Sequence, residues 1–309
     1  MEFEGRRKDE ILHHVPVMVK EVLALLDPKP GEVILDGTIG AGGHAGGILK
    51  RIERRGPGPP GVLIGIDRDE EVLPIAREVL REHLDRVKLY TADFRDAREV
   101  LERAGFTRAD GVLLDLGPSS FQLDNSERGF SFQEDGPLDM RMDRSSRRTA
   151  ADLVNGLGEK ELSRLIYQYS DERFAGRLAR EICIWRKGRP IRTTRELATI
   201  AENVLGRKRG RIHPATRLFL ALRIAVNEEL ESLRKVLEGL PQLLTSGGRV
   251  VIISFHSLED RLVKKAFADG KSQGYYEVLT RKPLSPSRDE VLRNPRSRSA
   301  KLRAAKHIC

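Results

Sequence analysis

Four apolar runs within the first 117 residues each carry an aspartate at or near the end: EVILD (32–36), VLIGID (62–67), VKLYTADF (87–94) and ADGVLLDLG (109–117). Helix-like stretches at 44–54, 70–82 and 97–104 separate them, and the Gly/Pro loop GPGPPG (56–61) breaks the chain between the first two runs. Near-continuous apolar strands alternating with helices predict a parallel sheet covered on both faces, a doubly wound α/β fold. The rhythm stops from 118 to 214, where polar loops and helical patterns at 159–169, 175–187 and 194–204 predict an inserted, mainly helical domain. It resumes with a helix at 215–240, a fifth strand in GGRVVIISFHS (247–257), a helix at 258–267 and strands at 275–279 and 302–308. The expected organisation is therefore one α/β domain in two parts, 1–117 and 215–309, around an insertion at 118–214 that serves substrate recognition.

No apolar stretch approaches the roughly 20 residues that a bilayer requires, and the first 14 residues show no apolar signal region. Cys183 and Cys309 lie far apart and form no metal-type pair, which suits a reducing cytoplasm. Net charge is +9 and concentrated: 281–309 and 186–211 each hold nine Lys/Arg against two Asp/Glu. Clustered cations predict a polyanionic partner, with a solvated Arg-rich surface as the alternative.

LDGTIGAGGH follows a strand and opens a helix. Gly40, Gly42 and Gly43 allow a tight turn and close approach of backbone to a ligand, although a strand–helix turn without a ligand uses the same residues. Asp36 and Asp67 end neighbouring strands, at the crevice where doubly wound sheets bind ligands. Asp67 is placed to accept the ribose hydroxyls of a nucleoside, or to cap the following helix. A dinucleotide enzyme would use the same acid, but its GxGxxG turn is absent; the spacing Asp36-x-x-x-Gly40-x-Gly42-Gly43 is similar to the first motif of class I methyltransferases. Their cofactor carries a sulfonium and an ammonium, which suit nearby carboxylates, and Asp36 is the candidate for the ammonium. Asp93-Phe94 ends the third run where an aromatic ring can stack on adenine, or simply pack in the core.

LLDLGPSSFQLD (113–124) places Asp115 at a strand end before a tight Gly117-Pro118 loop. Together with HHVPVMVKEVL (13–23), DGTIGAGGH (36–44), GIDRD (65–69), ERGFSFQEDGPLDMRMD (127–143), HPATRLFLALRIAVNEEL (213–230), SFHSLEDRLVK (254–264) and NPRSRSAKLRAA (294–305), it makes the chain closely resemble the RsmH (MraW) family of 16S ribosomal RNA (cytosine-N4)-methyltransferases. The resemblance implies a class I methyltransferase, Rossmann-like sheet, S-adenosylmethionine as cofactor, and 16S RNA or the small ribosomal subunit as partner in the cytoplasm, with monomer or homodimer left open. Cofactor contacts carry over to Gly42, Gly43, His44, Asp67, Phe94, Asp115 and Gln122, beside Asp36 and Gly40 from the turn. His44 read alone is a helix-start residue. The chain departs from the family around Gln122, where Pro118 and Phe121 stand in place of Val and Pro.

The resemblance further implies that Asp115 and the carbonyls of 116–118 face the reacting amine. Asp139 and Arg141 are expected to shape the cytosine pocket, with Asp139 a second catalytic candidate. Pro118, Ser119, Arg207, Lys208, Arg209 and Arg211 are expected on the RNA. His256, near Ser254, Ser257 and Asp260, invites a hydrolase reading, but the GxSxG turn of such enzymes is absent. Methylation of a different nucleic-acid amine, or a non-catalytic RNA-binding assembly factor that keeps the fold, remain the alternatives.

Overall fold

A computed structural model describes residues 16–53, 56–206 and 213–309. The chain divides into two compact units. The first ends at Gly117 and resumes over Leu230–Cys309; the second is Pro118–Glu229.

In the first unit the strands are β1 (Val33–Asp36), β2 (Val62–Asp67), β3 (Val87–Thr91), β4 (Ala109–Asp115), β5 (Leu244–Ser254), β6 (Tyr276–Val278) and β7 (Lys301–His307), joined in the order β3-β2-β1-β4-β5-β7-β6. The first five pair in parallel; β7 runs antiparallel to β5, and β6 to β7. This is the Rossmann-like arrangement of class I methyltransferases. The order reverses between β1 and β4, so Asp36 and Asp115 emerge beside each other at the switch point where such sheets bind ligands. β1, β2 and β4 are almost entirely buried, which explains why they read as continuous apolar runs rather than alternating ones.

Helices α1 (Val19–Leu26), α2 (Ala45–Ile52), α3 (Leu73–Val79) and α4 (Ala97–Arg103) fall within the first part of this unit. The layer formed by Ala97, Val100 and Leu101 of α4 packs with Leu35, Ile64, Ile66, Val112 and Leu114 of the sheet. No helix among the described residues is long and apolar enough to cross a membrane.

The second unit contains α5 (Ser120–Asp124), α6 (Ala150–Gly156), α7 (Glu159–Ser170), α8 (Ala175–Trp185), α9 (Thr194–Leu205) and α10 (Thr216–Asn227), around an apolar core that includes Leu153, Leu162, Ile166, Leu178, Ile182, Leu197 and Leu222. Among the described residues its regular structure is helical, with one isolated bridge, Pro137–Thr193. The expected helix 215–240 is two helices. Glu228 adopts φ 51°, a left-handed conformation that a helix cannot propagate, and its N–H closes α10 on Ile224 O. The unit thus runs on to Glu229 rather than ending at 214, because α10 contributes Leu218, Phe219 and Leu222 to the helical core. The chain then continues in α11 (Glu229–Leu243), α12 (Ser257–Ser272) and α13 (Arg288–Arg293).

Candidate active site

The glycine turn is held from both sides by the sheet. Ile39 N–H donates to Ile66 O (2.9 Å), Gly42 N–H to Ile39 O (2.8 Å), and Gly37 N–H to Leu113 O (2.9 Å). Gly42 has φ 88°, a region that residues with a Cβ rarely adopt, and a Cβ there would lie in ordinary contact with Leu80 at 3.4 Å. Gly40 has φ 52°, and a Cβ on Gly43 would come within 3.0 Å of Pro16.

Asp67 is the tie between this turn and β2. Its Oδ2 accepts Gly40 N–H (3.0 Å) and its Oδ1 accepts Asp69 N–H (2.9 Å). The helix-cap alternative is not what is seen; the carboxylate stitches two loops. Asp36, buried at the end of β1, accepts Thr38 N–H at 3.1 Å. Desolvation disfavours the charged form of both acids and pushes each up to about 6; for Asp36 the neighbouring Asp115 and Asp67 add to the rise, and His44 and the Thr38 bond oppose it.

Asp115 stands apart from these two. Its backbone N–H donates to Thr38 Oγ1 at 2.6 Å, which fixes the strand end. Its Oδ1 is buried and has no hydrogen-bond partner among the described residues. Desolvation, then the charge of Glu259, pushes its carboxyl up to about 7. A buried acceptor without a donor is a place for a ligand's donor or cation. His44 faces it with Nδ1 3.8 Å from Asp115 Oδ2. The imidazole Nε2 lies 2.9 Å from Val17 O, and a carbonyl only accepts, so Nε2 carries the hydrogen.

The structure also brings in an acid that sequence reading did not single out. Glu259, 2% exposed, is at the third position of α12; its Oε2 accepts Phe255 N–H (2.8 Å) and His256 N–H (3.2 Å), and its Oε1 lies 3.0 Å from His256 Nε2. The signal was present as S-F-H-S-L-E, a strand end followed by a glutamate at capping distance. The hydrolase reading fails on geometry. Asp260 is taken by Arg303 Nε (2.7 Å) and Lys301 Nζ (3.3 Å), and Ser254 Oγ donates to Lys301 O (3.3 Å).

At the end of β3 the Asp93 carboxylate is consumed by Arg68, Arg95 and Ser232. That leaves Phe94, half-buried, as the group there able to meet a ring. Asp36, Asp67, Asp115 and Glu259, beside the positive-φ turn at Gly42, form a cradle of desolvated carboxylates. Such a set fits a nucleoside ligand bearing positive charge, as S-adenosylmethionine does, because a nearby cation restores the ionised form that burial disfavours.

In the second unit, Gln122 and Ser119 form a capping box for α5: Ser119 N–H donates to Gln122 Oε1 (3.0 Å) and Gln122 N–H to Ser119 Oγ (3.3 Å). Pro118 precedes the cap and is half-buried. Asp139 is locked by Arg141 through Nε to Oδ1 (2.7 Å) and Nη2 to Oδ2 (2.8 Å), while Arg141 Nη1 reaches Ser146 O at 2.6 Å. Burial raises the Asp139 carboxyl, but the Arg141 bonds outweigh it and hold the acid below its ordinary range. Such a carboxylate stays ionised and occupied, which suits a scaffold better than a proton carrier. Around it, buried Arg128 donates to the carbonyls of Arg141 (2.9 Å) and Met142 (3.0 Å), and Asn227 clamps Met142 N–H and Met140 O at 2.8 Å each.

Of the C-terminal basic run, Arg303 is 6% exposed and paired with Asp260, so it is withdrawn from any surface. Arg281, Lys282, Arg288, Arg293 and Arg298 are exposed. Arg207, Lys208, Arg209 and Arg211 lie outside the described residues.

The MraW methylase family matches residues 11–308 of the chain. A curated relative named "Ribosomal RNA small subunit methyltransferase H" from Geobacter sp. (strain M21) is 48% identical, over 97% of this chain and 100% of its own length. One of the same name from Thermotoga neapolitana is 48% identical over 96% of each. Among solved structures, a SAM-dependent O-methyltransferase from Thermotoga maritima shows a distant likeness, with TM-score 0.43 and 12% identity over 98% of this chain and 71% of that one.

Proposed function

The chain belongs to the MraW methylase family, and from that premise we propose that it methylates the N4 amine of a specific cytidine in the decoding region of 16S ribosomal RNA. At the coarser level it is an S-adenosylmethionine-dependent methyltransferase of small-subunit ribosomal RNA. The observation that carries the finer reading is Asp115: a desolvated carboxylate at the end of β4 with Oδ1 buried and unpaired.

The cofactor, when bound, supplies a methyl group on a positively charged sulfur. The chain's own residues do the rest. Gly42 and Gly40 supply the positive-φ turn that shapes the ligand's cradle, and Asp67 fixes that turn by accepting Gly40 N–H. Asp115 accepts an N–H of the target amine. That matters because the N4 lone pair is delocalised into the ring, and an acceptor on its hydrogen helps it to turn towards the methyl donor. Holding the amine in line supplies much of the acceleration, since alignment is mainly an entropic problem. The methylated nitrogen sheds its proton readily, so Asp115 acts as a hydrogen-bond acceptor and charge partner without having to be a strong base. The base must leave its stack to be reached, and the exposed cations of 281–298, with Arg207, Lys208, Arg209 and Arg211, hold the phosphates around it.

The test is to incubate small-subunit RNA, free and in assembled subunits, with methyl-labelled S-adenosylmethionine and digest it to nucleosides. Label in N4-methylcytidine supports the proposal. Label in 5-methylcytidine or in a methylated adenosine or guanosine points to the other amine or carbon acceptors, and binding of RNA without any label points to an assembly factor.

A further inference from the structure

The segment Ser287-Arg288-Asp289-Glu290 opens α13 with half of a capping box. Ser287 Oγ accepts Glu290 N–H at 3.1 Å. In the completed motif the glutamate returns its carboxylate to the N–H of the capping residue. Glu290 instead sends Oε1 to Met18 N–H, 2.6 Å away and 272 residues distant in sequence. The Met18 N–H belongs to the same peptide group as the Val17 carbonyl, and that carbonyl accepts the Nε2–H of His44 at 2.9 Å. One peptide, at the left-handed Met18 (φ 53°, 1% exposed), is thus gripped at both ends. On the far side of the imidazole, Nδ1 faces Asp115 Oδ2 at 3.8 Å.

We infer that Glu290 is a positioning residue for the methyl-transfer site, acting through the Val17–Met18 peptide on His44. A carboxylate that accepts an amide N–H polarises the peptide and adds electron density to its carbonyl oxygen, which strengthens the next bond in the chain. The imidazole is then held as the Nε2–H tautomer, with Nδ1 directed at Asp115. If the ring exchanged tautomer, Val17 O would face a lone pair in a buried setting, and Nδ1 would present a hydrogen to the acid that the target amine needs; if it flipped, Val17 O would lose its donor to a ring C–H. The same logic fixes metal-ligating histidines through their outer partners. This inference rests on the reading of the strand-end cradle as the S-adenosylmethionine site.

The test uses the full chain and a double-mutant cycle: wild type, Glu290→Ala, Glu290→Gln, His44→Ala and Glu290→Ala with His44→Ala. S-Adenosylmethionine affinity is read by calorimetry, and the His44 ring nitrogens by ¹⁵N spectra. The wild type is expected to show one Nε2–H tautomer. Glu290→Ala is expected to mix the tautomers and weaken the cofactor about tenfold, the scale seen when outer partners of site histidines are lost. Glu290→Gln, whose Oε1 can accept the same N–H, should restore the tautomer and most of the affinity. The double variant should bind no more weakly than His44→Ala alone, since both changes break one path. A single tautomer and unchanged affinity in Glu290→Ala, or additive losses in the double variant, would overturn the inference. If the wild type fails to bind S-adenosylmethionine, the functional reading falls, and the tautomer comparison alone then decides the role of Glu290.

Discussion

Asp115 Oδ2 stands 3.8 Å from His44 Nδ1, beyond hydrogen-bond reach, while Asp115 Oδ1 is buried with no partner among the described residues. An acid so placed is maintained at a cost to the fold, since a desolvated carboxylate disfavours its own ionisation. Folds keep such groups where a ligand completes them.

Replacing Asp115 by Ala is therefore expected to separate activity from stability. Turnover should fall by about 100-fold or more, the scale of a lost acid–base or acceptor group, with the melting temperature unchanged or raised. Single-turnover methylation alongside thermal unfolding checks both. Wild-type-like rates would remove Asp115 from the reaction.

The pH dependence has a definite sign. Burial, reinforced by Glu259, pushes the Asp115 carboxyl up to about 7, and its ionised form is both the stronger acceptor of an amine N–H and the partner of the cofactor's positive charge. kcat/KM for the cofactor should rise about tenfold per pH unit below about 7 and level off above it. Stability of the cofactor-free protein should move the other way. Asp36 and Asp67 at about 6, and Asp115 at about 7, hold protons in the folded state that the unfolded chain has released above about 4. The folded state binds more protons across that window, so stability falls as pH rises from about 4 to about 7. Unfolding at pH 5 and pH 7.5 should show the lower pH as the more stable, and Asp115→Asn should shrink the difference.

Gly42→Ala should cost cofactor binding more than fold. The φ of 88° penalises any Cβ by roughly 1–2 kcal/mol, while the added methyl makes only ordinary contact with Leu80 at 3.4 Å. A shift of the turn is the cheapest relief, so calorimetry should show S-adenosylmethionine affinity down by more than tenfold while the far-ultraviolet circular dichroism stays the same.

Asp139 is expected to behave as a structural residue. Asp139→Ala breaks the fork with Arg141 and leaves a half-buried guanidinium short of partners, which should destabilise the protein by about 1–3 kcal/mol. Denaturant unfolding measures it. A variant that loses turnover with unchanged stability would restore Asp139 as a catalytic candidate.

The α/β frame was legible because buried parallel strands write themselves as apolar runs ended by acids, and Asp36, Asp67 and Asp115 mark the C-terminal ends of three neighbouring strands. What those acids do was not legible. Asp67 is bound to Gly40 and Asp69, and Asp93 is bound to Arg68, Arg95 and Ser232, by contacts that span up to 139 residues. The helix break at Glu228 escaped notice because its neighbours keep helical spacing and only a backbone angle interrupts them. The block 127–143 was recognised by resemblance, yet its physical content, the Arg128 and Asn227 clamps around Asp139-Met140-Arg141, depends on partners up to 87 residues apart. Glu290 was hidden for the same reason: its local signature is a helix cap, and its carboxylate goes elsewhere.

The central claim is tested most directly by mapping methyl groups at nucleotide resolution. Small-subunit RNA incubated with the protein and labelled S-adenosylmethionine should carry a single methyl on N4 of one decoding-region cytidine, and RNA treated for the same time with Asp115→Ala should carry about a hundredth of that label or less. Label spread over several nucleotides, on a carbon or another base, or undiminished in Asp115→Ala, would contradict the account.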